Sequence, residues 1–167
     1  MAFNEDSRVK IPAILHLVRL GYQYLSIRDA KIDPDTNIFT DVFKRSLKKI
    51  NVGVSDDEID ATLSRLKLLL DNDDLGRAFY ESLISGAGVK LIDFDNFNNN
   101  TFNVVTELTC RNGEEEFRPD ITVLINGMPL AFIEVKKPNN HEGILAERDR
   151  IDAVSYTHLT LPTILRV

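Results

Sequence analysis

The spacing of apolar residues divides the chain into a helical half followed by a strand-rich half. Apolar residues recur at helical spacing in four segments, which predicts helices at about residues 8–20, 37–50, 55–70 and 74–85. Short apolar runs between polar clusters predict strands at residues 89–94, 102–110, 117–126 and 130–136, with polar turns at 96–100 and 111–116. The pattern therefore predicts one domain of the mixed α/β class with an N-terminal helical region.

Several helix ends are marked by residues that satisfy unpaired backbone groups. Gly21 follows the first apolar stripe and is a typical helix stop. Ser55, with Glu58 three residues later, forms the capping-box pattern that opens a helix. Asp73 or Asp74 is suited to cap the fourth helix.

The last two predicted strands are joined by Asn126-Gly127, a strong hairpin signal because both residues tolerate a positive φ. A regular two-residue turn would leave Asp120 and Glu134 on opposite faces of the hairpin, since a one-residue slip reverses every side chain. A three-residue loop, or a bulge, would set Asp120 opposite Glu134. Pro129 has no amide to donate and suits the first position of the second strand. We therefore predict the longer loop or a bulge.

In that register, an acid pair and a lysine converge at one end of the hairpin. Asp120 and Glu134 would repel each other as carboxylates, and a hard divalent cation such as Mg²⁺ relieves that repulsion. The backbone carbonyl of Val135 is a plausible third ligand, and Lys136 is placed to orient water or to stabilise charge on a phosphate. The alternative interpretation is a set of solvated charges at strand ends, where Pro-Asp merely opens a turn.

These residues resemble the nuclease motif of the PD-(D/E)xK superfamily and, more narrowly, the N-terminal domain of the R (restriction) subunit of type I restriction enzymes. The resemblance covers roughly residues 5–152 and is most specific over 91–138. The motifs that carry it are Phe117-Arg118-Pro119-Asp120, Asn126-Gly127-Met128-Pro129-Leu130, Ile133-Glu134-Val135-Lys136-Lys137-Pro138, and the upstream segments 79–83, 91–94 and 100–105.

The resemblance implies a restriction-endonuclease-like core with a central mixed sheet that hydrolyses double-stranded DNA. Asp120, Glu134 and Lys136 would be catalytic, with Mg²⁺ bound by both acids and by the Val135 carbonyl. It also implies partners, namely the methyltransferase and specificity subunits of a restriction complex. ATP would be needed only by motor domains that lie beyond these residues.

Two features of the family are absent from the sequence. The Gln-x-x-x-Tyr element that usually follows the lysine strand is missing, since Tyr156 has Asp152 four residues before it. No G-x-x-x-x-G-K-[ST] phosphate loop occurs. The sequence therefore predicts a fragment of a larger enzyme or the product of a truncated gene, and it leaves open that this chain is inactive.

The expected domain extends over residues 1–152, with a helical part at 1–88, a sheet core at 89–138 and a charged helix at 142–152. Residues 153–167 then change abruptly to an almost uncharged stretch rich in Thr and Leu. Our hypothesis is that this tail is foreign or frame-shifted.

Composition restricts the location and the partners of the chain. No apolar run approaches membrane-spanning length, and the single cysteine, Cys110, fits a reducing cytoplasm and a buried strand position. A net charge of −6 argues against a domain that grips DNA alone, because DNA binding depends on dense contacts from Lys and Arg. The basic residues at 44–49 are a possible phosphate contact, although a solvated helix face is the more common arrangement.

Further charged residues are candidates for the same site. Glu107 is a possible accessory metal ligand or an exposed strand residue, and Glu81 is a possible helical accessory acid or a surface residue. Arg118 is a candidate DNA contact or an ion-pair partner of Glu116, and Lys137 is a candidate DNA contact. Two other functions stay open: another PD-(D/E)xK nuclease of DNA repair or of a mobile element, and a non-catalytic domain that docks to partner subunits.

Overall fold

The computed structural model describes residues 6–72, 74, 76–112 and 115–135. The helix predicted at 142–152, the tail at 153–167, and Lys136, Lys137 and Asp73 lie outside the described residues.

The helical half contains the helices that the apolar spacing predicts. The described residues form a π-helical turn, Asp6–Lys10, and four α-helices: α1 (Ile11–Arg19), α2 (Thr40–Ile50), α3 (Asp56–Leu70) and α4 (Arg77–Ile84). Two 3₁₀ turns occupy Ile27–Asp29 and Phe97–Asn99. Among these helices, none is long and apolar enough to cross a membrane.

The helix ends follow the local signals with two exceptions, the starts of α2 and α4. α4 begins at Arg77 with Gly76 as its N-cap residue, so Asp74 does not occupy the predicted cap position. The Ser55 hydroxyl accepts a hydrogen bond from the Glu58 amide at 3.2 Å, and the Ser55 amide donates to the Glu58 carboxylate at 2.9 Å, so the capping box is confirmed. The Asp74 carboxylate accepts a hydrogen bond from the Ala78 amide at the start of α4. α2 begins three residues later than predicted, because Asn37 has a φ of 58° and cannot lie in a right-handed helix.

The strand-rich half forms a four-stranded mixed sheet in the order β1-β2-β5-β6 and a separate two-stranded ribbon, β3-β4. The strands are β1 (Gln23–Tyr24), β2 (Phe102–Thr106), β3 (Cys110–Asn112), β4 (Glu115–Phe117), β5 (Ile121–Ile125) and β6 (Met128–Ile133). β1, which the sequence pattern did not predict, pairs parallel to β2, and the other pairs are antiparallel. The bounds predicted for the polar turn, 111–116, are too wide, because both ends of this range belong to β3 and β4.

The strand predicted at 89–94 is wrong, because this segment is irregular. Asp93 accepts hydrogen bonds from the amides of Asp95 and Asn96, which bends the chain into a turn. Asn100 fixes the segment further, since its side-chain oxygen accepts the Asp93 amide and its nitrogen donates to the Asp93 carbonyl. Side-chain hydrogen bonds here replace the backbone ladder of a strand.

The sheet packs between α1 and α2. On one face, Val104 and Ile121 lie in an apolar cluster with Val135, against which residues of α1 pack. On the other face, Val105 and Leu124 pack with the start of α2. A larger cluster among α2, α3 and α4 extends to the hairpin. The hairpin is therefore held from several sides, which positions the residues at its open end.

Two of the four basic residues of α2 pair with acids of α3. Lys44 pairs with Asp60 at 2.5 Å, and Lys48 pairs with Asp56 at 2.7 Å. These two ion pairs connect α2 to α3. The basic face of α2, which was predicted to be solvated, is therefore partly occupied by contacts within the domain.

Candidate active site

The hairpin turn has the two-residue form. Ile125 pairs with Met128, and the turn residues Asn126 and Gly127 have φ values of 52° and 80°. Two successive positive φ values match the twist of a two-residue hairpin. The predicted three-residue loop is therefore wrong. Pro129 is the second residue of β6 and pairs with Leu124.

A bulge then produces the register that the site requires. Leu124 pairs with Pro129 but Val123 pairs with Ala131, so Leu130 is the extra residue. Beyond the bulge, pairing continues to Ile121 and Ile133. The next positions along the two strands are Asp120 and Glu134, which therefore lie opposite each other. The predicted bulge is confirmed.

The structure brings the two acids into contact. The side chains of Asp120 and Glu134 lie close enough to interact directly, and this interaction helps to lower the pKa of Asp120. One carboxyl oxygen of Glu134, Oε1, is buried. The Val135 amide donates to Oδ2 of Asp120 at 2.9 Å. Two carboxyl groups are thus held together at the end of the hairpin.

The environment of Asp120 favours its charged form. Burial raises the pKa of the Asp120 carboxyl, as expected for a charge removed from water. The hydrogen bond from the Val135 amide, the interactions with Glu134 and Lys10, and the positive charge of Lys10 together outweigh burial, so the pKa of Asp120 lies below its ordinary value. A carboxylate that stays ionised is suited to binding a cation.

Glu107 reaches the same point from the end of β2. Its amide donates to the carbonyl of Asp120 at 3.3 Å, which places it beside Asp120 on the neighbouring strand. Its φ of 55° lies in the left-handed region, so the strand predicted to run on to residue 110 breaks here and the side chain changes direction. Its carboxylate pairs with Lys10 and, at 3.3 Å, with Arg118. The structure thus gives both predicted residues, Glu107 and Arg118, an ionic partner within the chain.

Lys10, which the sequence analysis missed, lies among these acids. Its ammonium group contacts Glu107 and lies 3.2 Å from Oδ1 of Asp120, and its side chain is only 13% exposed. Burial lowers the pKa of Lys10, but its contacts with the two acids outweigh burial and the net pKa lies above the ordinary value. No local pattern pointed to this lysine, since it lies 97 residues from Glu107 along the chain.

The other predicted residues lie away from the acids or outside the described chain. Glu81 is on the exposed side of α4 and pairs with Arg77 at 2.9 Å, which is the surface arrangement considered as its alternative. Cys110 is buried in β3 as predicted, and burial raises the pKa of its thiol to about 12. Lys136 and Lys137 are not described, so their predicted roles stay predictions.

The donor set fits a hard divalent cation held by few protein ligands. Among the described residues, no group of three or more His, Cys, Asp or Glu side chains is arranged to hold a metal. Asp120 and Glu134 nevertheless offer adjacent carboxyl oxygens, and Mg²⁺ is commonly bound through one or two carboxylates while it keeps several waters. The carbonyl of Val135 stays a predicted third ligand.

Comparisons with known proteins agree on one family. The family model described as "Type I restriction enzyme R protein N terminus" matches residues 2–155. The chain is 32% identical to a Methanocaldococcus jannaschii protein provisionally named the endonuclease subunit of the type I restriction enzyme MjaIXP, over 83% of this chain and 16% of the relative. It is 26% identical to the endonuclease subunit of the type I restriction enzyme HindI of Haemophilus influenzae, over 73% of this chain and 14% of the relative.

The match extends across the helical and the strand-rich halves of the chain. It covers both Lys10 and the hairpin acids, and the fold has the helices and mixed sheet of a restriction-endonuclease-like core. The chain spans only a small part of the length of these relatives. The chain belongs to the family of type I restriction enzyme R-protein N-terminal domains.

Proposed function

We propose that this chain is the Mg²⁺-dependent endonuclease domain of a type I restriction-modification system and hydrolyses phosphodiester bonds of double-stranded DNA. The observation that carries the proposal is the contact between Asp120 and Glu134, which the bulge in the hairpin produces. In the alternative of a non-catalytic docking domain, nothing requires two carboxyl groups to meet in this way. The names of the relatives as endonuclease subunits support the same choice.

Each residue of the site has a role in this proposal. Asp120 and Glu134 bind the cation, and the Val135 amide holds the Asp120 carboxylate in place. Bound Mg²⁺ would supply a Lewis acid and a water of lowered pKa next to the phosphate. Lys136, two residues after Glu134, would orient that water or stabilise the charge that develops on the phosphate.

In this proposal, other parts of the restriction system translocate the DNA and recognise its sequence. The relatives are several times longer, and we propose that the full subunit includes ATP-driven motor domains outside these 167 residues. Methyltransferase and specificity subunits would select the DNA sequence in the cytoplasm. The family match favours this type I role over a repair or mobile-element nuclease.

Plasmid cleavage in the presence of Mg²⁺ tests the proposal. We expect Asp120→Asn and Glu134→Gln each to lower the cleavage rate at least about 100-fold, because each removes a charged metal ligand. Asp41→Asn is the matched control, since Asp41 is an exposed acid at the start of α2 that pairs with Lys31.

Cleavage should be measured for the chain alone and for a full-length R subunit containing it, assembled with its partner subunits. Lys136→Ala tests the proposed role of Lys136 in the same assay. Equal cleavage by the assembled wild type and by Glu134→Gln would show that the acids are not catalytic and would favour the docking domain.

A further inference from the structure

Lys10 connects the first helical segment to two acids of the candidate site. Its ammonium group contacts Glu107 at the end of β2 and lies 3.2 Å from Asp120 just before β5. The lysine side chain is 13% exposed, whereas those of Glu107 and Asp120 are 43% and 27% exposed. The lysine side chain is therefore the least exposed of the three, which is uncommon for lysine.

The two oxygens of Asp120 have different partners. Oδ2 accepts the Val135 amide at 2.9 Å, and Oδ1 faces Lys10. A divalent ion bound to Oδ1 at the usual Mg²⁺–oxygen distance would lie no more than about 5 Å from the ammonium nitrogen. Two cations at that separation repel each other in a partly buried setting, where screening by water is weak.

We propose that Lys10 is an internal counter-cation of the acid site that competes with the divalent metal for Asp120. With no metal bound, Lys10 neutralises Asp120 and Glu107 and keeps these acids from driving the strand ends apart. When metal binds, the lysine shifts its contact towards Glu107 and leaves Oδ1 to the metal. This inference rests on the proposed function, since it requires a metal at Asp120 and Glu134.

The inference predicts an effect opposite to that of a merely structural lysine. If Lys10 competes with metal, its removal should tighten metal binding. If Lys10 only holds the acids in position, its removal should weaken metal binding or leave it unchanged. Metal affinity therefore separates the two roles without depending on cleavage.

The experiment is a calorimetric titration of the 167-residue chain with Mn²⁺ alone, for the wild type and for Lys10→Met. We expect Lys10→Met to bind Mn²⁺ about tenfold more tightly, or better, because the competing charge is removed. Lys44→Met is the matched control, since Lys44 pairs with Asp60 between α2 and α3, and it should keep wild-type affinity. Should Lys10→Met not fold, Lys10→Gln keeps donors for the carboxylates and should shift affinity in the same direction.

Melting temperature gives a second readout. Without metal, Lys10→Met should melt below the wild type, because two acids lose their shared cation. Saturating Mn²⁺ should raise the melting temperature of Lys10→Met more than that of the wild type, as expected when ligand binds more tightly.

The outcomes distinguish this inference from the proposed function. If the wild type binds Mn²⁺, Glu134→Gln does not, and Lys10→Met binds no more tightly than the wild type, the inference is overturned and the metal site stands. If neither the wild type nor Lys10→Met binds Mn²⁺, the metal site fails and the inference fails with it.

Discussion

Asn126 stabilises the hairpin turn through its side chain, whereas Gly127 does so through its backbone. The Asn126 side chain is buried, and both of its polar atoms are hydrogen-bonded. Its nitrogen donates to the Leu91 carbonyl and to the side-chain oxygen of Asn100, and its oxygen accepts from the Thr101 amide. Gly127 has no side chain to place, and its carbonyl accepts the Phe39 amide at 2.9 Å just before α2. The Asn-Gly pair that predicts a hairpin from sequence is thus also the point where the hairpin joins its surroundings.

Gly127→Ala should destabilise the chain more than a glycine substitution elsewhere. A Cβ at Gly127 would lie 2.7 Å from the Phe39 carbonyl and 2.7 Å from the Phe43 amide, and its φ of 80° disfavours any side chain. Gly53→Ala is the control, because Gly53 has a φ of 86° with nothing within 4 Å of the added carbon. We expect about 1–2 kcal/mol for Gly53→Ala and at least about 1 kcal/mol more for Gly127→Ala. Urea unfolding measures the stability of both variants. Equal losses would contradict the close approach of the Phe39 and Phe43 backbone to Gly127.

Asp93 should make stability depend on pH. Hydrogen bonds from the Asn96 amide and the Asn99 side chain hold the pKa of Asp93 below its ordinary value, although burial opposes them. A lowered folded-state pKa stabilises the protein above the ordinary pKa of about 3.9, and that contribution disappears as pH falls through the lower folded-state value. Asp93→Asn should therefore be less stable than the wild type at neutral pH, with a difference that shrinks below about pH 4.

The pH dependence is checked by urea unfolding at neutral and at acidic pH. Asp95→Asn is the control in the same loop, because the Asp95 side chain is 87% exposed and pairs only on the surface with Lys90. Its effect should stay within about 0.5 kcal/mol. A difference between the wild type and Asp93→Asn that is as large at acidic as at neutral pH would contradict the role of the charge.

At the scale of elements, α3 offers a direct measure of helix capping. Ser55→Ala removes the hydroxyl that accepts from the Glu58 amide and should cost about 1 kcal/mol of unfolding free energy. Ser64→Ala is the same substitution within the same helix, at a hydroxyl that donates back to the Asp60 carbonyl, and should be neutral or slightly stabilising. Thermal or urea unfolding compares the two variants. Similar losses of unfolding free energy would mean that the cap does not stabilise the protein.

Helices were easier to predict than strands because their signals are local. The capping box at Ser55 and the apolar stripe of α2 lie within one helix each, and both are confirmed. The apolar run at 89–94 resembles a strand, but Asp93 and Asn100 turn it through contacts that no short pattern reveals. The break at Glu107 was missed for the same reason, since a positive φ there depends on neighbouring elements.

At the scale of the whole molecule, the sequence located part of the candidate site. The opposed placement of Asp120 and Glu134 followed from strand alternation and the need for a bulge, and the bulge is present at Leu130. Lys10 could not be found that way, because it reaches the acids from a helical segment 97 residues before Glu107. Contacts between distant elements depend on packing, which periodicity in one segment does not encode.

Charge distribution over the whole molecule predicts weak binding of DNA by the chain alone. The net charge is −6, and Lys44 and Lys48, in the densest basic segment, are paired with Asp60 and Asp56. Each phosphate contact contributes about 0.9 to the slope of log affinity against log salt. Because the net charge is negative and these two lysines are already paired, we expect a dissociation constant for a short duplex above about 10⁻⁵ M near physiological salt, with a shallow slope.

Fluorescence anisotropy over a salt series, with Ca²⁺ in place of Mg²⁺, measures this binding. The double variant Asp56→Asn, Asp60→Asn removes two negative charges and releases both lysines, so it should bind DNA more tightly and with a steeper salt dependence than the wild type. Sub-micromolar binding by the wild type with a steep slope would contradict the prediction, since it would require a basic surface that the described ion pairs do not leave open. Weak binding by the chain alone agrees with the proposed function, in which other subunits hold the DNA and cleavage is confined to the assembled complex.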